Sequence, residues 1–114
     1  MKESDVVIIA IPQADNSVKN RPAIILRVMP GFHDFLVCGI STQLHQEIPG
    51  FDETIEPDDP DFLGSHLVAT SLIRLGFLSV VPQTQIRGAI GSISSDRHRR
   101  LLKKLSGYLI LKED

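Results

Sequence analysis

Short apolar runs separated by proline and glycine, followed by one segment of helical periodicity, constrain the fold of this chain most. Apolar, β-branched runs bounded by turn formers are typical of strands. They predict strands over residues 5–11, 22–29, 35–41, 66–74, 76–81 and 86–93. Several short strands and one helix favour a mainly β fold, in which a small curled sheet or barrel is closed by a C-terminal helix.

The C-terminal segment predicts an amphipathic helix over residues 95–107. Its apolar residues recur at helical spacing, at Leu101, Leu102, Leu105 and Leu109. Residues 94–96 supply N-cap candidates and a first-turn acid. A restart of the helix through residues 108–111 also fits the pattern.

Residues 43–65 lack the apolar runs that predict strands elsewhere, and they contain many of the acids. We predict a long loop there, with one short strand over residues 46–48. Residues 47–61 carry seven acids and no Lys or Arg, whereas residues 97–104 carry five bases and no acid. Charge runs of this kind usually form solvated faces, and recognition of a charged partner is the alternative.

Length and composition predict one domain over residues 1–114, since 114 residues with 42% hydrophobic content suit a single core. No apolar run is long enough to cross a bilayer. The first five residues carry acids where a signal peptide would be basic, so we expect a cytoplasmic protein with no membrane partner.

The residues that usually hold metals or form disulfides are sparse. The single cysteine, Cys38, excludes an internal disulfide and a cysteine-based zinc site, and its apolar surroundings indicate a buried filler. The four histidines stand apart, without the short paired spacing of metal ligands. We therefore expect no metal and no cofactor.

Arg21 stands where a polar loop gives way to an apolar run. Pro22 biases Arg21 towards extended geometry and can itself open a strand. We expect Arg21 at the mouth of a strand, where a fixed cation can meet a phosphate. A solvated or ion-paired residue at a strand end is the alternative.

Other polar side chains mark strand ends, at Ser41, Thr42, Gln43, Thr70, Ser71 and Arg74. Small barrels gather strand ends onto a common rim, so we expect these side chains to converge with Arg21. Guanidinium and hydroxyl groups can act on an RNA phosphodiester without a metal, because the 2′-OH serves as nucleophile and arginine stabilises the charged transition state.

Five segments in order carry a family resemblance. They are Asp-Val-Val-Ile at 5–8, Asn-Arg-Pro-Ala-Ile-Ile-Leu at 20–26, Cys-Gly-Ile-Ser-Thr-Gln at 38–43, Thr-Ser-Leu-Ile-Arg at 70–74 and Ile-Gly-Ser-Ile-Ser at 90–94. In this order the chain resembles the MazF/PemK (Kid) toxins of bacterial type II toxin–antitoxin systems, over roughly residues 5–109.

The resemblance implies the SH3-like barrel of MazF, PemK and CcdB-like toxins, usually as a homodimer. It implies a growth-inhibiting mRNA interferase, which is a metal-independent endoribonuclease that cuts single-stranded RNA and leaves a 2′,3′-cyclic phosphate and a 5′-OH. It also implies a cognate antitoxin that occupies the RNA groove.

The resemblance also assigns the catalytic residues. Arg21 matches the catalytic arginine, and Ser41 matches a position that usually holds a catalytic threonine. Thr42 supplies the hydroxyl if the register slips by one residue. Arg74 matches an arginine that assists proton donation or phosphate binding in some members.

Residues near these positions are expected to bind RNA, namely Asp15, Asn16, Lys19, Asn20, Gln43, Thr70 and Ser71. The chain departs from the family at Ser4, where glycine is usual, and at Gly76, where some members carry an acid. Asp15 is the candidate general base, with stabilisation of a turn as its alternative role.

Two other functions remain open from the sequence. A CcdB-like toxin would poison DNA gyrase by binding, without an enzymatic step. A degenerate family member would fold without activity, because the glutamate that some members carry in the loop before Arg21 and the acid that some carry at position 76 are missing here. Arg21 together with Ser41 and Arg74 favours the ribonuclease.

Overall fold

A computed structural model describes residues 1–111. Its strands are β1 (Asp5–Pro12), β2 (Val18–Val28), β3 (Phe35–Ser41), β4 (Glu53–Ile55), β5 (Ser71–Val81) and β6 (Ile86–Ser92), and its helices are α1 (Phe62–Ser65) and α2 (Ser95–Leu109). The strands form one antiparallel sheet in the order β4-β5-β3-β2-β1-β6. The curled sheet with its C-terminal helix confirms the predicted fold class.

The central strands are covered by apolar side chains on both faces. One cluster joins Val6 of β1 to Leu101 and Leu105 of α2. The other gathers Val7 of β1 with Val37 of β3 and residues around them. Because neighbouring residues of a strand point to opposite faces, burial of both faces requires the continuous apolar runs seen in the sequence.

α1 packs closely against the edge strand β6. A Cβ atom at Gly91 would clash with the backbone of Gly64 and Ser65. Glycine inside a strand often marks such a close backbone approach. α1 thereby covers part of the sheet edge that β6 would otherwise expose.

The first hairpin corrects the predicted position of Arg21. β2 begins at Val18, so Arg21 lies within the strand, paired with Ile9, and is not at the strand mouth. β1 also continues through Pro12, which pairs with Val18. The connection is therefore only residues 13–17, and its turn is made by Asn16 with a φ of 69°.

β5 replaces two predicted strands. It begins at Ser71, five residues after the predicted start, because His66 ends α1 in the left-handed region with a φ of 58°. Its pairing with β3 shifts register between Arg74, opposite Gly39, and Leu78, opposite Cys38. Residues 75–77 therefore form a bulge within one continuous strand.

Residues 43–65 contain more structure than the sequence predicted. The short strand expected over residues 46–48 is wrong, since residues 44–46 form a 3₁₀ turn and the strand is β4. β4 escaped recognition because it contains Glu53, which is buried through ion pairs instead of apolar contacts.

Parts of the two charge runs form one ion-pair network between β4, the loop before α1, and α2, which corrects the interpretation of those parts as solvated faces. Arg97 is only 5% exposed. Its guanidinium contacts Glu53 at 2.8 Å, Asp61 at 2.8 Å and Asp59 at 3.2 Å. Arg100 also pairs with Glu53, at 3.1 Å. We call these residues, together with Lys104, the ion-pair junction.

The junction lowers the pKa values of its acids. Burial raises the pKa of Glu53, but hydrogen bonds and charge from Arg100 and Lys104 bring it below its ordinary value. Burial likewise raises the pKa of Asp61, and the stronger combined effect of Arg97 and the Ser94 N–H lowers it. Both carboxylates are therefore held in their charged form.

α2 confirms the predicted helix and its cap. The Ser94 side chain accepts a hydrogen bond from the Arg97 N–H at 3.1 Å. The helix continues without a break to Leu109, two residues beyond the predicted end and without the restart that the sequence allowed. Neither of the helices in residues 1–111 has the length and hydrophobicity needed to cross a membrane.

Candidate functional site

One open groove of about 570 Å³ brings four predicted site residues together, Arg21, Ser41, Gln43 and Arg74. The floor of the groove is formed by side chains that lie on the same face of the sheet, because side chains alternate between the two faces along each strand. Ile9 and Ile11 of β1 share a face, as do Val37, Gly39 and Ser41 of β3. The groove therefore lies over the end of the second apolar cluster, where buried residues give way to polar ones.

Arg21 enters the groove from β2. Its side chain is exposed, and it follows the same face as Ala23 and Ile25, which belong to the core below. Among residues 1–111 no carboxylate forms a salt bridge with it. A rigid strand thus presents a cation whose charge is available to an anionic ligand.

Ser41 holds its hydroxyl at the end of β3. Its Oγ accepts a hydrogen bond from the backbone N–H of Gln43 at 3.0 Å. The hydroxyl proton remains able to donate to a ligand. Thr42 is exposed and does not line the groove, so Ser41 is the hydroxyl that shares the groove with Arg21.

Arg74 enters the groove from β5, directly opposite Gly39 of β3. The centre of its guanidinium lies 4.1 Å from the centroid of the Phe77 ring, which is a cation–π contact. Within the described part of the chain it has no salt bridge. The groove therefore holds two arginines and no acid among its described lining residues.

Asp15 lies at the tip of the β1–β2 hairpin and does not line the groove. Its carboxylate accepts hydrogen bonds from the Ser17 N–H at 3.0 Å and from the Ser17 hydroxyl at 2.6 Å. These bonds lower the pKa of Asp15. A lower pKa makes a carboxylate a weaker proton acceptor, so the geometry favours the turn-stabilising role.

Apart from Gln43, the other residues expected to bind RNA lie outside the groove lining. Asn16, Lys19 and Asn20 are exposed on the same hairpin. Thr70 precedes β5, and Ser71 is buried, where its hydroxyl donates to the Ala69 carbonyl at 2.8 Å. The structure thus separates Thr70 and Ser71 from Arg21.

The groove residues that the sequence did not predict include Gln46, Phe77 and Gln85. Gln46 lies in the 3₁₀ turn where a strand was expected, and Phe77 lies in the β5 bulge. The Gln85 amide donates to the Ala10 carbonyl at 3.0 Å, a contact between residues 75 positions apart. The bulge places Phe77 and the long-range contact places Gln85, and neither leaves a local sequence signal.

The described residues offer no alternative reactive centre of two familiar kinds. No group of three or more His, Cys, Asp or Glu side chains in residues 1–111 is arranged to hold a metal ion. Cys38 is fully buried, and burial raises the pKa of its thiol to about 12. A thiol with that pKa is protonated at neutral pH and is a poor nucleophile.

A family model described as "PemK-like, MazF-like toxin of type II toxin-antitoxin system" matches residues 2–109. The match includes all six strands, both helices and the groove. No protein with curated annotation matches the chain.

Proposed function

The chain belongs to the PemK-like, MazF-like toxins of type II toxin–antitoxin systems, and we propose that it is a metal-independent endoribonuclease acting on single-stranded RNA. The observation that carries the proposal is the groove itself. Two arginines without carboxylate partners among residues 1–111 share it with a positioned hydroxyl. Paired cations beside a hydroxyl suit a phosphodiester better than a neutral or cationic ligand.

The proposed reaction is an internal transesterification. The RNA 2′-oxygen attacks the adjacent phosphorus and loses its proton to water, the P–O5′ bond breaks, and the departing 5′-oxygen takes up a proton from water, so no net proton is consumed. The products are a 2′,3′-cyclic phosphate and a 5′-OH. Water is assigned the first proton because no carboxylate or imidazole lines the groove among the described residues.

Each groove residue has a role in this step. Arg21 and Arg74 stabilise the negative charge that builds on the phosphoryl oxygens, and either guanidinium is within the groove from which the 5′-oxygen departs. Ser41 Oγ donates a hydrogen bond to a non-bridging oxygen. Gln43 and Gln46 offer amides that fix the neighbouring nucleotides.

The proposal extends to partners. Membership of a toxin–antitoxin family implies an antitoxin, and we assign its inhibitory segment to the same groove, where it would exclude RNA. Exposed apolar side chains near the end of α2, Tyr108 and Leu109, with Leu78 of β5, support a homodimer. The protein is proposed to work in the cytoplasm as a single domain of residues 1–114.

The experiment uses purified protein, free of antitoxin, and a long RNA of mixed sequence in EDTA. We expect fragments that carry a 5′-OH, detected because polynucleotide kinase labels them without prior phosphatase treatment. The same RNA with 2′-O-methyl groups should stay intact, because its 2′-oxygen cannot attack. Intact unmodified RNA at high enzyme excess would overturn the proposal, and growth arrest with trapped gyrase would then favour the CcdB-like alternative.

A further inference from the structure

Phe77 is a large apolar side chain in a charged groove, and 63% of its surface is exposed. It belongs to the bulge of β5. Leu75, two residues earlier, is fully buried in the core, and the bulge turns Phe77 outward into the groove that holds Arg21 and Arg74. Exposure of this apolar ring to water is unfavourable, so a ligand that covers the ring gains binding free energy.

The bulge that carries Phe77 is held by a buried side chain. Asp52 is 6% exposed, and its two carboxylate oxygens accept hydrogen bonds from the Leu75 N–H at 3.0 Å and from the Ile48 N–H at 2.9 Å. The absence of a side chain at Gly39 makes room for the ring, since a Cβ there would lie 3.4 Å from Phe77 Cδ2. The backbone that carries the ring is therefore anchored beside the groove.

Arg74 covers part of this ring in the free protein, with its guanidinium 4.1 Å from the ring centroid. A phosphate in the groove attracts the same guanidinium more strongly than a ring quadrupole does, because the phosphate carries a full charge. An RNA strand therefore offers a partner to each of the two side chains. The phosphate can pair with the Arg74 guanidinium, and a neighbouring base can stack on the Phe77 ring.

From this geometry we propose that Phe77 is the surface on which one base of the RNA stacks, beside the phosphate bound by Arg21 and Arg74. The inference rests on the proposed function and adds a base-binding subsite to it. Aromatic stacking recognises the π face that every base has, so this subsite contributes affinity and only weak base preference. Sequence selectivity then has to come from polar groove residues such as Gln43 and Gln46.

The test measures binding of a fluorescein-labelled 2′-O-methyl RNA of mixed sequence by anisotropy. Phe77→Leu should raise Kd about 5- to 150-fold, the range expected for loss of one base–aromatic stack. Phe77→Trp should stay within about twofold of wild type, because it retains an aromatic face. The matched control is Phe32→Leu in the β2–β3 turn, where Phe32 is 93% exposed and outside the groove.

The salt dependence of Kd separates stacking from charge. Phe77→Leu should leave the slope of log Kd against log salt unchanged, because it removes no phosphate contact. Arg74→Gln should reduce the magnitude of that slope by about one, as expected for one lost phosphate contact. A changed slope in Phe77→Leu would overturn the assignment, because the ring would then act only through Arg74.

Three further outcomes would overturn the inference. If wild-type protein binds and cleaves RNA and Phe77→Leu binds RNA equally well, Phe77 is not a base subsite, but the proposed function still stands. Equal losses in Phe77→Leu and Phe77→Trp show that a π face is not what matters. If Phe77→Leu changes the monomer–dimer equilibrium measured by sedimentation but not the RNA affinity, the ring contacts a second copy of the chain and not RNA. If wild-type protein binds no RNA, the proposed function and this inference fall together.

Discussion

Arg97 and Arg21 are the same residue type in opposite surroundings. Arg97 is 5% exposed and contacts carboxylates of Glu53, Asp59 and Asp61. Arg21 is exposed, and no carboxylate among residues 1–111 pairs with it. The first cation therefore holds the fold together, and the second leaves its charge to a ligand.

The difference follows from the cost of removing charge from water. A buried guanidinium is tolerated only when nearby anions and hydrogen bonds compensate its lost hydration. An exposed guanidinium keeps its hydration and can exchange it for a phosphate, whose oxygens match the arginine fork. The groove and the ion-pair junction should consequently respond to mutation in different measurements, activity for one and stability for the other.

Replacing Arg97 should cause the largest loss of stability. Arg97→Met leaves three neighbouring carboxylates without their central cation, and breaking a buried pair in this way costs about 3–5 kcal/mol. Urea denaturation measures the free energy of unfolding. The control is Arg99→Met, which removes an exposed pair with Asp96 at 3.5 Å and should cost less than about 1 kcal/mol. Equal stabilities of the two variants would contradict the role of the junction.

Replacing Arg21 should cause the largest loss of activity at almost no loss of stability. Arg21→Ala removes one charged donor from the transition state, so kcat/KM for RNA cleavage should fall about 100- to 1000-fold. The urea midpoint should hardly move, because exposed substitutions usually change stability by less than about 0.5 kcal/mol. Arg87→Ala on β6, exposed and outside the groove, is the control. Undiminished cleavage by Arg21→Ala would assign the chemistry elsewhere.

Asp52 precedes Glu53 of the ion-pair junction and binds the bulge beside the groove. Its replacement should have a smaller effect on both stability and activity. Its carboxylate fixes the Ile48 N–H and the Leu75 N–H, next to Arg74. In Asp52→Asn the side chain has only one acceptor oxygen for these two donors. An unsatisfied buried donor costs about 1–3 kcal/mol, and cleavage should fall with it as the bulge loosens. Asp58→Asn, an exposed acid of the same stretch, should change neither quantity.

The parts of the fold that local sequence patterns encode were predictable. β3 matches its predicted bounds, and Ser94 caps α2 as expected, because apolar runs and capping residues act over a few positions. The junction was missed because Glu53 and Arg97 pair across 44 positions, and no periodicity records such a pairing. Ser4, where the family usually has glycine, takes a φ of 73°, which glycine adopts more readily.

The candidate site was predictable to a similar extent. Polarity at strand ends and the family resemblance point to Arg21, Ser41, Gln43 and Arg74, and the curled sheet places these four residues in one groove. Phe77 was not predicted, because its exposure depends on a bulge that shifts β5 against β3. A bulge changes which face a side chain occupies, and the alternation rule used on the sequence assumes that none is present.

Moderate acidification should produce the smallest effect. The folded-state pKa values of Glu53 and Asp61 lie below their ordinary values, so their stabilising contribution is fully present above the unfolded-state values, about 4.3 for Glu and 3.9 for Asp. It is lost as the pH falls through the lowered folded-state values. The urea midpoint should therefore be nearly constant between about pH 7 and 5.5 and should decline below about pH 4.

Glu53→Gln should make that acid decline shallower, because one of the protonating groups is gone, and Glu56→Gln, at an exposed position, should leave it unchanged. Arginine stays protonated throughout this range. Acid therefore acts on the carboxylate partners of Arg97. A decline that begins between pH 7 and 5.5 would show that other groups, and not these carboxylates, set the acid limit of the fold.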